Sequence, residues 1–321
     1  WNKFGSNHIA IHDAINNVGG VSAIWDRSLE GEEHLDYKMV CDINFCFSKY
    51  NSINRTRIKS KVSYNIITGY LRDYNLAFVK KPAKIIREKL NKNGARLIVA
   101  VFDQNSPDEY SHKRERENYF HILNMLIKEP WLGVVFKPKK PHTLRKRLGK
   151  EVSDLLDLGI KSGRCVIFEG SSLYQSNTPI VLASEISDIC IHGALYAGTA
   201  ALECAITGKP TLLIDVVGHP YSRLNEFEKD KVIFYNWSSL IIQLKEHYEQ
   251  KNGIPGFGDW SEKIELYDPF RDGKGAFRMG NYINSIMEGY ENNLTKDESL
   301  ERAAETYCNN WGSDKIVFSN N

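Results

Sequence analysis

The chain has 321 residues and a mass of 36.7 kDa, with 42% hydrophobic, 11% aromatic and 26% charged residues. This ordinary globular composition excludes a chain that is disordered throughout, and the length predicts about two domains of ~100–200 residues each. The net charge of +2 argues against a dedicated nucleic-acid-binding protein, although basic residues cluster at 80–92 and 137–150 and keep a local anion site open.

No run of residues approaches the ~20 consecutive apolar positions of a membrane-spanning helix, and the start of the chain does not follow the pattern of a signal peptide. No two of the six cysteines form a Cys-x-x-Cys pair, which favours reduced, buried thiols over a structural zinc site. The sequence therefore predicts a cytoplasmic protein.

The first 90 residues have short strand-like runs joined by loops. The runs lie at 21–25, 43–47 and 62–66, and a basic amphipathic helix or linker follows at 80–93. This region is too short for a complete Rossmann-like domain. We predict a partial N-terminal α/β domain over residues 1–90.

Strands and helices alternate from about residue 95 onward. Several strands, such as 96–102 and 132–137, are nearly all apolar, which is typical of parallel strands buried on both faces. Further strands are predicted at 165–168, 189–192, 211–215 and 231–235, and helices at 114–128, 143–158, 179–186, 198–207 and 238–249. This order predicts an α/β fold with a doubly wound parallel Rossmann-type sheet over residues 91–252.

After residue 253 a Gly/Pro-rich loop leads into two predicted helices, 273–291 and 296–309, with Asp272 as the candidate N-cap of the first. We predict that residues 253–321 form a helical extension that packs back on the N-terminal domain.

Residues 187–215 contain the motif that is most informative about chemistry. A strand ends at His192-Gly193, and Gly198-Thr199-Ala200 opens a helix, whose free backbone N–H groups form an anion site. Glu203 lies one turn further on the same face as Thr199, where a carboxylate can accept hydrogen bonds from a ribose diol. The alternative is a plain buried helix start with Glu203 as a surface charge.

The order of these residues resembles the nucleotide-sugar motif of GT-B glycosyltransferases that build bacterial surface carbohydrates. The resemblance covers about 30 residues and is shared with sugar-nucleotide 2-epimerases. It implies that the loop and helix start hold the donor phosphates, that the glutamate holds the ribose, and that His192 lies beside the phosphate as a catalytic candidate. The donor-binding residues it implies are Gly193, Gly198, Thr199, Ala200 and Glu203.

A lysine-rich, proline-containing loop follows the strand that ends at residue 137. It is similar to the Lys/His-Pro loop of GT-B sialyltransferases and Kdo transferases, which use CMP-activated donors, although the order here is Lys139-Lys140-Pro141-His142. Lys137 and Lys139 are the candidate counter-charges for a donor phosphate. A solvated basic turn is the alternative.

Three other strand-end loops complete the implied donor site. In GT-B enzymes the position of Asp103 often lines this site and that of His219 often contacts the donor sugar, while Ser171 is a candidate contact for the base or ribose. A simple turn is the alternative at residues 170–172.

An inverting transferase needs a general base, which in the GT-B plan comes from the N-terminal domain. Asp26, at the end of an apolar run, is our first candidate, and His12 and Asp13 are the others, with 12–13 also readable as a helix start. No Asp-x-Asp motif stands at a strand end, so we expect no essential metal and no cofactor beyond the nucleotide-sugar co-substrate.

These features predict a glycosyltransferase that moves a sugar from a nucleotide donor, of the CMP-Kdo or CMP-nonulosonate type on the evidence of the lysine loop, to a glycan or lipid-linked acceptor. The basic and aromatic surface around residues 78–96 is a candidate for peripheral contact with the inner face of a membrane, with a solvated helix face as the alternative. No nucleic-acid partner is expected. The alternatives are a sugar-nucleotide 2-epimerase of the same fold and a non-catalytic partner that keeps the nucleotide fold.

Overall fold

The computed structural model describes residues 5–29, 38–104, 108–169, 178–195, 198–220 and 222–318, without the side chains of residues 54 and 55. The chain divides into two compact units, one formed by the residues up to Tyr74 together with those from Lys263 onward, the other by Asn75–Glu262. These boundaries differ from those drawn on the sequence at 90 and 252. The helix before residue 93 buries Ala83 and Leu90 in the second unit, and Trp260 donates a hydrogen bond there to the Thr211 carbonyl.

The described strands and helices have the following bounds. The strands are β1 (Ala23–Trp25), β2 (Val40–Cys46), β3 (Lys61–Ile67), β4 (Leu97–Phe102), β5 (Leu132–Lys137), β6 (Cys165–Ile167), β7 (Ile189–His192), β8 (Thr211–Ile214), β9 (Ile233–Phe234) and β10 (Ile316–Phe318). The α-helices are α1 (Ser6–Asn17), α2 (Lys49–Arg57), α3 (Leu76–Lys92), α4 (Glu109–Lys128), α5 (Leu144–Lys161), α6 (Ile180–Ile186), α7 (Thr199–Ile206), α8 (Trp237–Glu249), α9 (Ile264–Tyr267), α10 (Gly275–Glu291) and α11 (Lys296–Trp311). Short 3-10 helices lie at Asp73–Asn75, Pro141–Thr143, Arg223–Glu226 and Ser313–Lys315.

The first unit is built on a sheet with the strand order β1-β2-β3-β10, in which β10 alone among these strands runs antiparallel to its neighbour. Apolar side chains of β2 and β3, such as Phe45 and Ile66, pack against α10 and α11. Phe45 contacts Tyr282 edge-on, with ring centroids 5.8 Å apart, and the Tyr307 hydroxyl donates to the Ile67 carbonyl at 2.7 Å. Segments from both ends of the described chain therefore share one hydrophobic core.

The second unit is a parallel six-stranded sheet with the order β6-β5-β4-β7-β8-β9. One face is covered by α4, α5 and α8, with Tyr119, Leu156 and Leu240 in its core, and the other by α3, α6 and α7, with Ala83 and Cys204 in its core. Because both faces are covered, the strands are almost wholly apolar, as the sequence indicated. The prediction of a doubly wound parallel sheet is confirmed.

Several local predictions differ from the structure. A helix start at residues 12–13 is wrong, because α1 begins at Ser6 and contains both residues in its middle. The predicted N-cap role of Asp272 is also wrong: α10 begins at Gly275, and the Asp272 carboxylate instead accepts the Lys274 amide and pairs with Arg278. In α5, Gly149 has φ +72° and breaks the helix after its first turns.

Candidate functional site

The carboxyl ends of three neighbouring strands bring polar side chains to the centre of the second unit's sheet. The last residue of β4, Phe102, pairs in register with Lys137 of β5 on one side and with His192 of β7 on the other. Paired residues of parallel strands point to the same face of the sheet. The strand order reverses between β4 and β7, and in open α/β sheets the crevice at such a reversal is where ligands bind.

His192 is buried at this position, with only 3% of its surface exposed. Among the described residues, neither of its ring nitrogens has a hydrogen-bond partner. Burial, together with the nearby charge of Lys139, lowers the pKa of His192 from 6.5 to about 4, so the ring is neutral near pH 7. A buried imidazole without partners is costly to the fold, which points to a bound group that supplies them.

The helix α7 begins seven residues after the end of β7, so its N-terminus lies at the carboxyl edge of the sheet. Its N-cap residue, Gly198, supplies no side-chain hydrogen bond, so the amides of the first turn have no acceptor inside the helix. Thr199 is half-buried, and Glu203, one turn further on, is buried rather than a surface charge. Ala200, between them, is also buried. The helix dipole and these amides favour an anion here.

Gly193, directly after β7, sits where a side chain would not fit. A Cβ atom at this position would collide with the Asn118 side-chain amide. That amide donates to the Gly193 carbonyl at 3.4 Å, while its oxygen accepts from the Trp237 indole at 2.9 Å. The loop is therefore held from α4 and α8, an arrangement that the sequence did not indicate because the three residues are far apart in the chain.

The lysine loop after β5 starts with a buried cation. The Lys137 ammonium lies within reach of the Pro138 carbonyl at 3.3 Å. Burial lowers the pKa of Lys137, while the negative charges of Asp103 and Glu203 oppose this change. The two carboxylates and the lysine thus share one electrostatic environment, which joins the β4, β5 and α7 ends of the site.

Asp103 holds the backbone of this loop. Its Oδ1 accepts the Lys139 amide at 2.5 Å, and its Oδ2 lies 3.5 Å from the Tyr119 hydroxyl. Burial raises the pKa of Asp103 well above its usual value, and so does the neighbouring Glu115 carboxyl, while the Lys139 amide and Arg147 lower it. The backbone of Lys139 is anchored by this carboxyl group, whereas its side chain is exposed at the loop surface.

Arg147 completes this anchor. Its guanidinium forms a two-pronged ion pair with Glu115 at 2.7 and 2.8 Å, and both side chains are about 95% buried or more. The same group donates to the Lys140 carbonyl at 3.0 Å and lies 3.7 Å from Asp103. A bidentate guanidinium pair of this kind fixes geometry as well as charge. Sequence analysis missed Glu115 and Arg147, since Arg147 lies within a basic run that resembles a solvated surface.

The loop after β8 carries His219. Its amide donates to Asp215 Oδ2 at 2.5 Å, and its carbonyl accepts from the Asn225 side chain at 2.7 Å. Ser222 donates to the Leu195 carbonyl at 2.8 Å, which ties this loop to the one after β7. His219 therefore lies at the same carboxyl edge of the sheet as His192, on a turn that these hydrogen bonds hold.

The candidate bases belong to the first unit. Asp26 follows β1 directly, is buried, and its amide donates to the Phe45 carbonyl at 2.8 Å. The His12 ring is engaged on both sides, by Ser22 at 2.7 Å and Asn16 at 2.8 Å, which gives it a structural role, and Asp13 is exposed. Ser171, the predicted base or ribose contact, lies outside the described residues.

The part of the chain that the structure describes contains no group of three His, Cys, Asp or Glu side chains arranged to hold a metal ion. None of its helices is long and apolar enough to cross a membrane. All six cysteines are free thiols, and five of them are buried, as their apolar surroundings predicted.

Comparison with solved structures gives this chain a GT-B fold. HepE of Anabaena, solved with UDP and glucose, matches with a TM-score of 0.51 at 11% identity, over 86% of this chain and 75% of that one. A variant of the wall teichoic acid polymerase TagF matches with a TM-score of 0.51 at 12% identity, over 78% and 60%. The UDP-GlcNAc 2-epimerase of Neisseria meningitidis, solved with UDP-GlcNAc, matches with a TM-score of 0.50 at 16% identity, over 76% and 62%.

The chain therefore spans about three fifths of the length of TagF and of the epimerase. No protein-family model matches it, and no curated protein matches it. At these identities the likeness shows the GT-B fold and leaves the chemistry to be argued from the site.

Proposed function

We propose that this protein binds a nucleotide-sugar in the second unit and transfers the sugar to a glycan acceptor, as a GT-B glycosyltransferase that needs no metal ion. The observation that carries the proposal is His192, a neutral imidazole buried without described partners at the same edge of the sheet as the N-terminus of α7. A diphosphate or phosphate at this point would give the ring a partner and lie at the positive end of the helix dipole.

The proposed roles follow from the geometry. The first amides of α7 and the Lys139 ammonium stabilise the charge that develops on the leaving phosphate, since preorganised donors act most strongly where charge develops. The neutral ring of His192 donates one N–H to a phosphate oxygen. Glu203 accepts hydrogen bonds from the ribose hydroxyls, and Lys137 compensates the charge of this buried carboxylate.

Cytosine and uracil are the two candidate nucleobases of the donor. The lysine loop resembles that of enzymes that use CMP-linked Kdo or sialic acid, whereas HepE and the N. meningitidis epimerase were solved with UDP or a UDP-sugar. Asp26 remains our proposed general base on the acceptor side. The acceptor that we propose is a surface glycan or its lipid-linked precursor.

A second candidate is a sugar-nucleotide 2-epimerase, which the match to the N. meningitidis enzyme favours. The two reactions differ in one readout, because an epimerase converts a UDP-sugar without any acceptor, whereas a transferase needs one. A third candidate, a non-catalytic partner that keeps the fold, would bind a nucleotide weakly or not at all.

The test is a thermal-shift panel of the full chain with CMP, UDP, GDP and CDP. A ligand that binds only the native state stabilises it by mass action, about 2.7 kcal/mol at a hundred times its dissociation constant. We expect one pyrimidine nucleotide to raise the melting temperature above the others, and its base then names the donor class. No shift with any nucleotide would contradict the proposed function.

The ribose role of Glu203 gives a sharper prediction. Glu203→Ala removes a charged acceptor of two hydrogen bonds, which are each worth about 1.5–3 kcal/mol, so nucleotide affinity should fall by roughly a hundredfold or more. Calorimetric titration measures this loss, and circular dichroism checks that the variant is folded. The control is Glu249→Ala, on the exposed end of α8, and equal affinities of the two variants would contradict the role.

A further inference from the structure

The helix α3 presents an apolar stripe to solvent that the proposed function does not use. Phe78 and Ile85 have 75% and 61% of their surfaces exposed. They lie seven residues apart, which is two helical turns, so they share one face of the helix. The opposite face of α3 buries Val79, Ala83 and Leu90. The exposed stripe is thus fixed outward by the packing of the rest of the helix.

The orientation of α3 is also fixed by a side-chain anchor. The Arg87 guanidinium donates to the Ile186 carbonyl at 2.7 Å and to Asp188 at 2.5 Å. Asp188 in turn accepts the Ile98 amide at 2.8 Å, which connects α3 to the first strand of the sheet. Because these contacts hold one side of α3 against the second unit, Phe78 and Ile85 cannot turn inward without breaking them.

The charge around this stripe is strongly positive. Residues 76–92 contain six basic residues and one acidic residue, a net charge of +5, in a chain whose total is +2. At roughly 100° per residue, Lys81, Lys89 and Lys92 lie within about 50° of the line joining Phe78 and Ile85. All three lysines are exposed. Three of the six basic residues of α3 therefore lie on the face that also exposes apolar side chains.

We propose that this face of α3, defined by Phe78, Lys81, Ile85, Lys89 and Lys92, docks on the surface of an anionic phospholipid bilayer. Lysines around protruding apolar side chains match a surface of negative headgroups over an acyl layer, in which such residues insert by about 5–10 Å. Pro82 lies on the same side and has no N–H to donate to the Phe78 carbonyl. This carbonyl therefore lacks its usual helical hydrogen bond, which suits the polar headgroup region.

This inference does not depend on the proposed function, because a chain that binds no nucleotide would still expose this face. If both hold, the protein would work at a membrane that carries its acceptor. An acidic protein, a nucleic acid and a second copy of the chain are the other occupants that the test separates.

The experiment is co-sedimentation of the full chain with vesicles of phosphatidylcholine alone and of phosphatidylcholine with phosphatidylglycerol, at low and high salt. We expect binding to the anionic vesicles only, weakened by salt, because polybasic contacts are screened. Lys81→Glu combined with Lys89→Glu should reduce the partition coefficient by at least tenfold, since each lysine contributes roughly fivefold. Phe78→Ser combined with Ile85→Ser should reduce it by at least tenfold as well.

The controls are matched in exposure and lie in the same unit. Ile242→Ser changes an apolar side chain on α8 that is 63% exposed, and Lys113→Glu changes an exposed lysine on α4. Both controls should sediment like the parent protein. The proposal is overturned if the parent protein stays in the supernatant, if binding is the same without anionic lipid, or if the α3 variants bind as well as the controls. It is also overturned if sedimentation velocity shows that the α3 face joins two copies instead.

Discussion

At the scale of single residues, the site combines groups that weaken the fold with groups that fix it. His192 is buried without described partners, whereas Glu115 and Arg147 form a fully paired, buried ion pair. We expect groups of the first kind to be retained for a ligand, whereas those of the second kind fix the backbone of the lysine loop. Substitution of a group of the first kind should leave the stability of the fold unchanged or raise it, whereas substitution of a group of the second kind should lower it.

His192→Leu should leave the protein at least as stable as the parent at pH 7, because a side chain of similar volume replaces two unpaired polar atoms. The pH dependence should also change. A histidine whose pKa falls from 6.5 to about 4 on folding contributes stability that is complete above pH 6.5 and is lost as the pH falls towards 4, in total about 3 kcal/mol. The variant should lack this part of the acid destabilisation.

Chemical denaturation of both proteins between pH 4 and pH 7 measures the difference, and nucleotide titration should show that His192→Leu has lost affinity. His247→Leu is the control, since the His247 ring accepts the Ile254 amide at 3.0 Å and its removal should destabilise the fold without affecting nucleotide binding. A His192→Leu protein that is clearly less stable at pH 7 would show that the ring has a partner in the fold.

Glu115→Gln should destabilise the second unit by about 3–5 kcal/mol, because it leaves the Arg147 charge buried and incompletely paired. The lysine loop should loosen with it, which amide hydrogen exchange at residues 138–142 would detect. The control is Asp157→Asn on α5. This substitution removes an exposed ion pair with Arg145 at 2.8 Å, which should contribute less than about 1 kcal/mol to stability. Equal losses in the two variants would contradict the anchoring role.

At the scale of elements, the site depends on loops that are held by helices from outside the motif. Gly193→Ala places a Cβ against the Asn118 side chain, which is itself bound to Trp237, so the neighbour cannot move freely. We expect a loss of about 1–3 kcal/mol and weaker nucleotide binding. Gly280→Ala, in α10 with open space around it, should instead stabilise by up to about 1 kcal/mol. Thermal denaturation of the two variants should show opposite signs.

The sequence predicted the elements of the second unit well because its central strands are buried on both faces. Runs such as 97–102 and 132–137 have no polar interruption, and their ends place the site at the carboxyl edge of the sheet. The short strand β10 and the polar helix α2 were not predicted, since three residues or a helix without an apolar stripe give no periodic signal. These elements form through contacts with distant segments.

The candidate site could be predicted where its residues follow one another in the motif or stand at the ends of predicted strands, as Asp103 and Lys137 do. His192, Gly193, Gly198 and Glu203 share one strand, loop and helix. Glu115 and Arg147 are 32 residues apart, and nothing in either segment indicates that a buried ion pair joins them. The positions of Asn118 and Trp237 depend likewise on how α4 and α8 pack, which local sequence does not encode.

At the scale of the whole molecule, the second unit is continuous in sequence and has hydrophobic clusters on both faces of its sheet. We expect a fragment of residues 75–262 to fold alone and to bind the nucleotide that the panel identifies, with affinity within about tenfold of the full chain, because the proposed donor contacts lie in this unit. Circular dichroism and calorimetric titration of the fragment measure both properties. If the fragment folds but does not bind the nucleotide, the first unit must contribute donor contacts.

The first unit has the opposite property, because β10 pairs with β3 across some 250 residues and Tyr307 bonds to the Ile67 carbonyl. During translation, β1 to β3 leave the ribosome long before the segments that cover them. At ~5–20 residues per second, synthesis of the intervening residues 75–262 takes roughly 10–40 s. In that interval Phe45 and Ile66 lack the helices that bury them. The nascent chain therefore carries an uncovered sheet throughout the synthesis of its second unit, and we expect it to bind ribosome-associated chaperones during that time.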